Sequence, residues 1–580
     1  MIDYASIDSA IGQNWYSLDP DLQRRVKADA PEEDLAWAEA KLSEFGSVVG
    51  GRIARNADTI DANPPRLEAF DKWGQPVDQV VHHPATHDTK AALWELGYVS
   101  GFTADEVARQ RPTPGVVQGA TSYLLAQADT GMVCSLGMTS GVAGLVEAYA
   151  PPDLRDRLLA GLRAGSIEEG TDGSMFLTER DGGSDLGRSV HCTAKDIGDG
   201  RVLLEGEKWF CSNIDGAAIV MLARPEGAPS GSAGLGLYLV PRELDDGTRN
   251  HYRMRRLKQK LGTKSVPTGE VVFEGALGYA LRPTGDAQRP ASSDAGGLNR
   301  MMEMVNGSRF GVALMGLGIA RRSFLEATIW AHHRQAKGRL LVDLPLVREQ
   351  LVDLQVELEA ALAIGFECAA AMRRPDGARL RRILVPAAKN RLCRLGVDAA
   401  SFAVELHGGN GYCEDWGLTR QLRDAQCHPI WEGSENICSL DILRAIRRDS
   451  AHEAALARID AASEAARSGI DALEPAVAAT KAARDRLAAH IDEVASLESD
   501  DAEAKAGHLD GLFAQTVSAA LLLEQAATDP RKALVATRFV RRHLAGAGDR
   551  WDDRIAQLAG REMLAYADID PDVATSAIAG

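Results

Sequence analysis

The stretch Ser189–Asn213 reads SVHCTAKDIGDGRVLLEGEKWFCSN and marks a change in the character of the chain. Apolar and polar residues alternate along it, which is typical of strands, and Asp199-Gly200 is the sequence of a two-residue hairpin turn. We read it as strand, tight turn, strand, a second turn and a third strand. The following segments continue this pattern to Leu281, so the middle of the chain is predicted to be a β domain.

Helical patterns precede this β domain. Residues 1–172 are predicted to form an N-terminal helical domain, because apolar residues recur at helical spacing in segments such as residues 34–58. Residues 65–84 are punctuated by Pro and Gly and are expected to be a loop. The β domain is placed at residues 173–285, and a Pro-, Gly- and Ser-rich linker is predicted at residues 282–297.

Helical patterns return after the linker. Four long apolar-faced segments predict a four-helix-like bundle over residues 298–450, and the Ala-rich residues 451–580 predict a helical extension. The fold class is therefore α+β and multidomain, not a doubly wound sheet. No G-x-G-x-x-G lies between a strand and a helix, and GLGIA at residues 316–320 falls inside a helical pattern, which favours helix packing over dinucleotide binding.

Length and charge narrow the class of protein. A chain of 580 residues is too long for one core and suggests three or four units of about 150 residues. With 65 basic and 82 acidic residues the net charge is −17, which disfavours a nucleic-acid or anionic-membrane partner. We find no apolar run of membrane-spanning length and no secretory leader. The eight cysteines are scattered without a C-x-x-C pair, so we expect reduced thiols in a cytoplasmic enzyme and no metal site.

Four short segments carry residues suited to chemistry: FLTERDGGSDLG (Phe176–Gly187), KWFCSN (Lys208–Asn213), HGGNGY (His407–Tyr412) and IWEGSENI (Ile430–Ile437). The first offers free backbone N–H groups to a phosphate, or is a plain surface turn. In the second, one ring can enter the core while the other covers a ligand, or both rings simply pack. The third permits close backbone approach, and Gly408 can also end a helix.

The fourth segment places a carboxylate beside an aromatic ring. Ser434 is positioned to cap the helix that follows, whose N-terminus can bind a phosphate. Glu432 is either a favourable partner of that helix dipole or a reactive group. An apolar surrounding that includes Trp431 should raise the pKa of Glu432 above the usual value of about 4.3 and make it a stronger base.

The order of these segments resembles the acyl-CoA dehydrogenase family. FLTERDGGSD resembles the first signature of that family, and residues 406–437 resemble the second, whose E-G-[ST] glutamate is the catalytic base; that position is Glu432. The similarity runs from about Thr86 to Arg448. Residues 62–85 and 255–271 resemble the AidB-like subgroup and extend the similarity over nearly the whole chain. The resemblance implies FAD as cofactor, a middle β-barrel-like domain and a C-terminal four-helix bundle with extra helices.

The resemblance also implies roles for residues around the flavin. Thr178 should lie near the flavin ring, and Phe210 takes the place of the usual flavin-covering Trp, with Trp209 one step away. Ser212 stands where the family has a Thr beside flavin N5. The other cofactor-binding candidates are Met175, Leu177, Gly183, Ser184, Arg334, Glu405, Gly408, Gly409, Ser434 and Asn436, and the substrate-binding candidates are Ser184, Arg309 and Gly433.

Two of these positions, and Lys337 in addition, have particular implications. Arg334 matches an arginine that reaches the FAD pyrophosphate of a neighbouring subunit. Glu405 stands where the family usually has Gln, and a carboxylate near a pyrophosphate is repelled. Lys337 replaces the usual Phe that follows the family's arginine. The last two departures put the local FAD contacts in question.

The activity that the resemblance implies is α,β-desaturation of an acyl-CoA thioester. Glu432 would remove the α-proton while its backbone N–H polarises the thioester carbonyl, and the flavin would accept the β-hydride. The implied enzyme is a homodimer or homotetramer that passes electrons to an electron-transfer flavoprotein.

Two alternatives remain open at this stage. A DNA-associated alkylation-response flavoprotein would use a basic helix face, formed by Arg531, Lys532, Arg538, Arg541 and Arg542. Against it, residues 451–580 hold 14 Lys and Arg and 22 Asp and Glu, a balance of −8, so a solvated face is the competing interpretation. A flavin monooxygenase on the same fold is the other alternative, and the retained Glu432 counts against it.

Overall fold

The computed structural model describes residues 1–283, 296–372, 374, 377–466, 471–545 and 553–579. Most of the predicted linker, residues 284–295, lies outside the described residues. The chain forms two compact units. We call Arg52–Thr113 with Asp129–Gly311 the barrel unit, and Met1–Gly51, Pro114–Ala128 and Val312–Gly580 the helical unit.

Nine strands belong to the described part of the barrel unit. They are β1 (Arg66–Phe70), β2 (Pro76–Val81), β3 (Gly173–Phe176), β4 (Thr193–Gly198), β5 (Arg201–Ser212), β6 (Ala218–Pro225), β7 (Gly236–Pro241), β8 (Tyr252–Leu257) and β9 (Thr268–Ala280). Strands β6, β4, β5, β9 and β7 pair in that order, and β7 pairs back with β6, so the ring closes. β3 is added parallel to β6, and β8 antiparallel to β9. The predicted barrel-like domain is therefore confirmed.

The first hairpin of the barrel has the predicted turn. Asp199 and Gly200 both have positive φ, +54° and +71°, as the favoured two-residue hairpin turn requires. The second predicted turn was wrong, because β5 continues without a break to Ser212. A register shift between Leu204 and Glu205, opposite Gly275 with φ +79°, bends the strand pair there without ending it.

The segment predicted as a loop is also a hairpin. β1 and β2 pair antiparallel, with Arg66 opposite Val81. At its turn the Asp71 carboxylate accepts hydrogen bonds from the backbone N–H groups of Trp73 (2.8 Å) and Gln75 (2.9 Å). The Pro and Gly residues that indicated a loop thus mark the turn of a short hairpin.

Helices make up most of the remainder. They are α1 (Pro20–Asp29), α2 (Glu32–Val48), α3 (Ala54–Ala62), α4 (Pro84–Glu95), α5 (Thr103–Arg109), α6 (Gly115–Ala128), α7 (Thr130–Tyr149), α8 (Pro152–Leu162), α9 (Leu186–Ser189), α10 (Gly297–His333), α11 (Pro345–Ala371), α12 (Gly377–His407), α13 (Leu418–Ala425), α14 (Glu435–Asp449), α15 (Ala451–Ala466), α16 (Glu474–Ser496), α17 (Ser499–Ala526), α18 (Pro530–His543), α19 (Ile555–Leu564) and α20 (Pro571–Ala579). A two-residue pair, β10 (Gln335–Ala336) and β11 (Arg339–Leu340), follows α10.

The C-terminal extension shares its core with the bundle. Phe324 of α10 and Leu351 of α11 belong to one buried cluster with Leu522 of α17 and Phe539 of α18. The extension is thus packed onto the bundle rather than tethered to it, and burial of this apolar surface stabilises both.

Helix α7 bears on the expectation that the chain has no membrane-spanning segment. In the part of the chain that the structure describes, it is the one helix that is long and apolar enough to cross a membrane. Its sequence is not an uninterrupted apolar run, because Ser135, Thr139 and Ser140 interrupt it. Most of α7 is buried inside the protein, and a buried core helix meets the same criterion.

Candidate active site

Two of the four predicted segments meet in the barrel unit. The backbone N–H of Trp209 donates to the carbonyl of Thr178 at 2.9 Å, which joins the loop after β3 to the end of β5. Gly183 lies so close that an added Cβ would stand 2.6 Å from Thr178 Oγ1. The first segment therefore folds tightly around Thr178, and only glycine fits at position 183 without moving that hydroxyl.

A buried ion pair between Lys208 and Glu179 stabilises the contact between the loop after β3 and the end of β5. Lys208 Nζ donates to Glu179 Oε1 at 2.7 Å, and the backbone N–H groups of His191 and Cys192 donate to the same carboxylate. Burial alone would raise the pKa of Glu179, but the Lys208 ammonium and these hydrogen bonds hold it below its usual value. The carboxylate stays charged and ties the loop to β5.

The two adjacent aromatic residues do not divide between core and ligand side as predicted. The pairing register of β5 with β9 shifts between Lys208 and Cys211, so Trp209 and Phe210 lie in a β-bulge. Trp209 is half-buried and Phe210 is 54% exposed. Lys258 Nζ lies 3.7 Å from the Trp209 ring centre and 4.8 Å from that of Phe210, so one cation faces both rings.

Ser212 ends β5 in a hydroxyl pair. Its Oγ lies 3.0 Å from Thr268 Oγ1, which also accepts from Lys260 Nζ at 3.2 Å. The next residue, Asn213, is buried with φ +52°, and its side-chain oxygen accepts from Ser135 Oγ of α7 at 2.7 Å. The side chain of Ser212 is therefore fixed by Thr268, and its backbone is fixed by the buried Asn213 that follows.

The other candidates of the barrel unit differ in exposure. Met175, Leu177 and Thr178 are half-buried at the end of β3, while Gly183 and Ser184 are exposed on the loop. Arg309 is buried in the first half of α10.

In the helical unit, the loop that carries Glu432 is held by a buried lysine. Lys389 of α12 is fully buried, and its Nζ donates to the carbonyls of Pro429 (2.9 Å) and Gly433 (2.6 Å). These carbonyls lie on either side of Glu432 in the chain. One ammonium group therefore fixes both flanks of the predicted base, and sequence patterns did not reveal it.

Glu432 itself has an uncommon backbone conformation. Its φ is +55°, in the left-handed region that side chains other than glycine rarely adopt, and Gly433 follows with φ +104°. Such a conformation costs of order 1–3 kcal/mol and persists only where the surroundings impose it, often at functional sites. The Glu432 and Trp431 side chains are both half-buried.

Within this loop, sequence reasoning also missed a buried histidine. His428 is fully buried, and within the described residues neither ring nitrogen has a hydrogen-bond partner. Burial, assisted by the nearby Lys389 charge, lowers the pKa of His428 to about 3. A neutral imidazole thus lies 6.1 Å, ring centre to ring centre, from Trp431.

The helix after Glu432 begins without a side-chain cap. Ser434 occupies the N-cap position of α14 as predicted, but its hydroxyl makes no capping hydrogen bond. Ser434 and Asn436 are both exposed. The first-turn N–H groups and this hydroxyl can therefore serve an anionic ligand.

The glycine-rich loop and Arg334 are linked through one tryptophan. The Trp330 ring stacks on His407 with ring centres 4.8 Å apart, and the Arg334 guanidinium lies 5.9 Å from the Trp330 ring centre. Helix α12 ends at His407, and Gly408 follows with φ +62°, which confirms the predicted glycine helix end. Arg334, Glu405, Gly408 and Gly409 are exposed.

Lys337, the departure next to Arg334, has a structural role. It has φ +52° and precedes Gly338 with φ +73°, so the two residues form the tight turn between β10 and β11. The side chain at this turn is exposed, and the tip of the hairpin carries positive charge.

The predicted basic face of α18 is paired with acidic side chains, and its members differ in exposure. Arg531 and Lys532 are buried, and both pair with Glu359 of α11. Arg538 pairs with Glu349 at 2.6 Å. Arg542 pairs with Asp353 and Glu357, and Arg541 approaches Asp553. Acidic partners within the helical unit meet all five cations, so this helix contributes to the packing of that unit.

Both units contain features that fit FAD. The half-exposed Phe210 beside Trp209 offers an aromatic face to a flat ring, and the uncapped start of α14 at Ser434 offers hydrogen-bond donors to phosphate oxygens. Gly183 permits close backbone approach beside Thr178. Each feature by itself suits one part of a flavin dinucleotide.

Protein-family models match three successive sections of the chain. Residues 7–166 match the adaptive response protein AidB N-terminal domain, residues 174–276 the acyl-CoA dehydrogenase middle domain, and residues 295–447 the acyl-CoA dehydrogenase C-terminal domain. The putative acyl-CoA dehydrogenase AidB of Escherichia coli is 34% identical over 436 residues, 72% of this chain and 76% of that protein. The chain belongs to the acyl-CoA dehydrogenase family. Its N-terminal section places it in the AidB-like subgroup.

Further relatives agree with this assignment. Acyl-CoA dehydrogenase family member 11 of Caenorhabditis elegans is 30% identical over 446 residues, 74% of this chain and 70% of that protein. The crystal structure of C. elegans ACDH-11 in complex with C11-CoA superposes with a TM-score of 0.82 at 26% identity, covering 98% of this chain and 94% of that one. As an AidB-like acyl-CoA dehydrogenase family member, the protein is an oxidoreductase of a family that uses FAD.

Proposed function

We propose that the protein desaturates an acyl-CoA thioester between its α- and β-carbons, with Glu432 as the base. The observation that carries the proposal is the Glu432 loop: its backbone is held in a left-handed conformation, and its flanks are anchored by the buried Lys389. A carboxylate fixed in this way is suited to a reaction that demands precise placement of one group. The relative crystallised with C11-CoA supports a thioester substrate.

FAD, when bound, would supply the acceptor for the β-hydride, which carries the two electrons of the oxidation. The residues of this chain then have separate tasks. Glu432 takes the α-proton onto its carboxylate, and its backbone N–H is proposed to polarise the thioester carbonyl as negative charge develops there. Thr178 and Ser212 are proposed to contact the flavin ring, which Phe210 and Trp209 cover.

The remaining assignments follow the family. Met175, Leu177, Gly183, Ser184, Glu405, Gly408, Gly409, Ser434 and Asn436 are proposed cofactor contacts, and Ser184, Arg309 and Gly433 proposed substrate contacts. Exposure of Arg334 leaves it free to reach the pyrophosphate in a second subunit of a homodimer or homotetramer. We propose that an electron-transfer flavoprotein reoxidises the flavin, and that the enzyme acts in the cytoplasm.

The test is anaerobic titration of the yellow protein with acyl-CoAs of different chain length, followed by flavin absorbance. Wild-type protein should bleach with at least one of them. The variant E432Q should bind FAD normally but lose about 100-fold or more of the reduction rate, the usual contribution of a general base. Glu503→Gln, an exposed change on α17, is the matched control.

Each component of the proposal can fail separately. A colourless protein that takes up no flavin would exclude the cofactor. A yellow wild-type protein that no acyl-CoA bleaches would exclude the desaturation. Reduction of E432Q at the wild-type rate would exclude Glu432 as base.

A further inference from the structure

A buried carboxylate of the extension contacts the helices that hold the base loop. Asp510 of α17 is 5% exposed. Its Oδ2 accepts hydrogen bonds from Asn390 Nδ2 of α12 (2.6 Å) and from Ser439 Oγ of α14 (2.9 Å). The extension thus reaches the first turns of the helix that follows Glu432.

Asn390 and its neighbour Lys389 donate hydrogen bonds to backbone carbonyls before and after Ser434. Asn390 Nδ2 also donates to the carbonyl of Glu435 at 3.0 Å, while Lys389 holds the carbonyls of Pro429 and Gly433. Two consecutive residues of α12 therefore grip the chain on both sides of Ser434. The grip by Asn390 requires that its NH₂ group, and not its oxygen, face Glu435.

Asp510 reinforces that orientation, because it and the Glu435 carbonyl both only accept hydrogen bonds from Asn390. An Asn side chain can present its oxygen or its NH₂ group toward a given neighbour, whereas an ionised carboxylate only accepts hydrogen bonds. With Asp510 in place, the NH₂ group of Asn390 must face Asp510, and the same group then reaches the Glu435 carbonyl. Ser439 Oγ lies 3.1 Å from that carbonyl as well, and its single proton is donated to either Asp510 or the carbonyl at one time.

The placement of Asp510 has an energetic cost that packing does not explain. Burial, with a smaller contribution from the nearby Glu435 charge, raises its pKa to about 6, although the hydrogen bonds from Asn390 and Ser439 oppose the rise. Glu435 is itself paired with Arg394 at 2.7 Å. Within the described residues no cation pairs with Asp510 directly. A carboxylate buried without a cation destabilises a fold unless its hydrogen bonds serve a specific arrangement.

We propose that Asp510 is a positioning residue for the Glu432 loop: it orients Asn390 and Ser439, which hold the first turn of α14 and so fix where the loop ends. The C-terminal extension thereby takes part in arranging the active site. The catalytic consequence rests on the proposed role of Glu432, while the structural consequence does not.

The test compares Asp510→Ala with two matched variants. Asp510→Asn keeps an acceptor oxygen for Asn390 and Ser439, and Asp501→Asn changes an exposed Asp on the same helix. The first measurement is backbone hydrogen exchange of residues 433–439 in the purified full chain. Asp510→Ala should speed exchange there about 10-fold, while Asp510→Asn and Asp501→Asn should stay within about twofold of wild type.

The second measurement is the rate of anaerobic flavin reduction by the acyl-CoA that bleaches wild-type protein best. Asp510→Ala should lower the limiting rate about 10-fold with little change in the acyl-CoA concentration for half-maximal rate, because misplacement of a reacting group slows the step itself. Asp510→Asn should restore most of the rate.

The outcomes separate the two proposals. Unchanged exchange in Asp510→Ala would overturn the positioning role, as would Asp510→Asn behaving like Asp510→Ala in both measurements. If Asp510→Ala does not fold, Ser439→Ala removes one of the two donors and should raise exchange at the same residues. If no acyl-CoA reduces wild-type protein, the exchange result alone decides the positioning role, and the proposed function fails independently.

Discussion

Replacing Lys389 by Met should show how much this lysine, which anchors the Glu432 loop, contributes to stability and how much to the rate of flavin reduction. The Lys389 ammonium donates to the Pro429 and Gly433 carbonyls, and each such bond from a charged donor contributes about 1.5–3 kcal/mol. Removing a fully buried ammonium also removes its burial cost, which offsets part of the loss. We expect the free energy of unfolding to fall by about 3 kcal/mol.

The same variant should slow the chemistry. Without the ammonium, both flanks of Glu432 lose their anchor, and the left-handed backbone at Glu432 is free to relax. Because a displacement of about 1 Å can cost up to 100-fold in rate, we expect flavin reduction by acyl-CoA to slow at least about 10-fold. Guanidinium denaturation measures the first effect, and anaerobic stopped-flow absorbance the second.

Lys481→Met is the control, since Lys481 is exposed on α16 and should change neither quantity by much. A Lys389→Met protein that loses stability but reduces its flavin at the wild-type rate would show that the anchor is not needed for catalysis. A protein with unchanged stability would show that the two carbonyls find other donors.

Two further predictions concern the barrel unit and the buried histidine. Gly183→Ala would bring a methyl group to 2.6 Å from Thr178 Oγ1, so the Thr178 hydroxyl must move, and we expect the dissociation constant for FAD to rise at least about fivefold in a fluorescence titration of the apoprotein. Gly137→Ala, which meets no atom within 4 Å, should leave the constant unchanged. Burial and the Lys389 charge lower the pKa of His428 from about 6.5 to about 3, so its contribution to stability is complete above pH 6.5 and is lost as pH falls toward 3. Stability of wild-type protein should therefore fall by up to about 1.4 kcal/mol per pH unit more than that of His428→Asn between pH 6 and pH 4, measured by urea midpoints; equal slopes would contradict the burial of a neutral imidazole.

Local patterns were enough for the order of the elements. The helical spacing before residue 170 and after residue 297, and the alternation between them, arise from neighbours three or four, or two, positions apart, so they are visible in the chain itself. The Asp199-Gly200 turn was predictable for the same reason, because Asp-Gly tolerates the positive φ that a two-residue hairpin turn requires at both positions.

Other features depended on partners far away in sequence. The hairpin at Arg66–Val81 has Pro and Gly that also suit a loop, and only pairing of its two strands distinguishes the alternatives. The bulge at Trp209 and Phe210 results from the register that β9 imposes on β5, so the strand rule of opposite faces did not apply.

The basic residues of α18 also depend on a partner that is distant in sequence. Arg531 and Lys532 read as a basic surface in sequence, yet Glu359, more than 170 positions earlier, buries and neutralises them.

By itself, the sequence determined that helices, a β domain and further helices follow one another, and that Glu432 stands in a motif of a flavoenzyme family. Only the tertiary structure decided that Lys389 grips the Glu432 loop, that His428 is neutral and buried, and that Asp510 of the extension meets α12 and α14. The physical reason is that periodicity reports the face of an element, whereas burial, hydrogen-bond partners and shifted pKa values depend on which other elements cover that face.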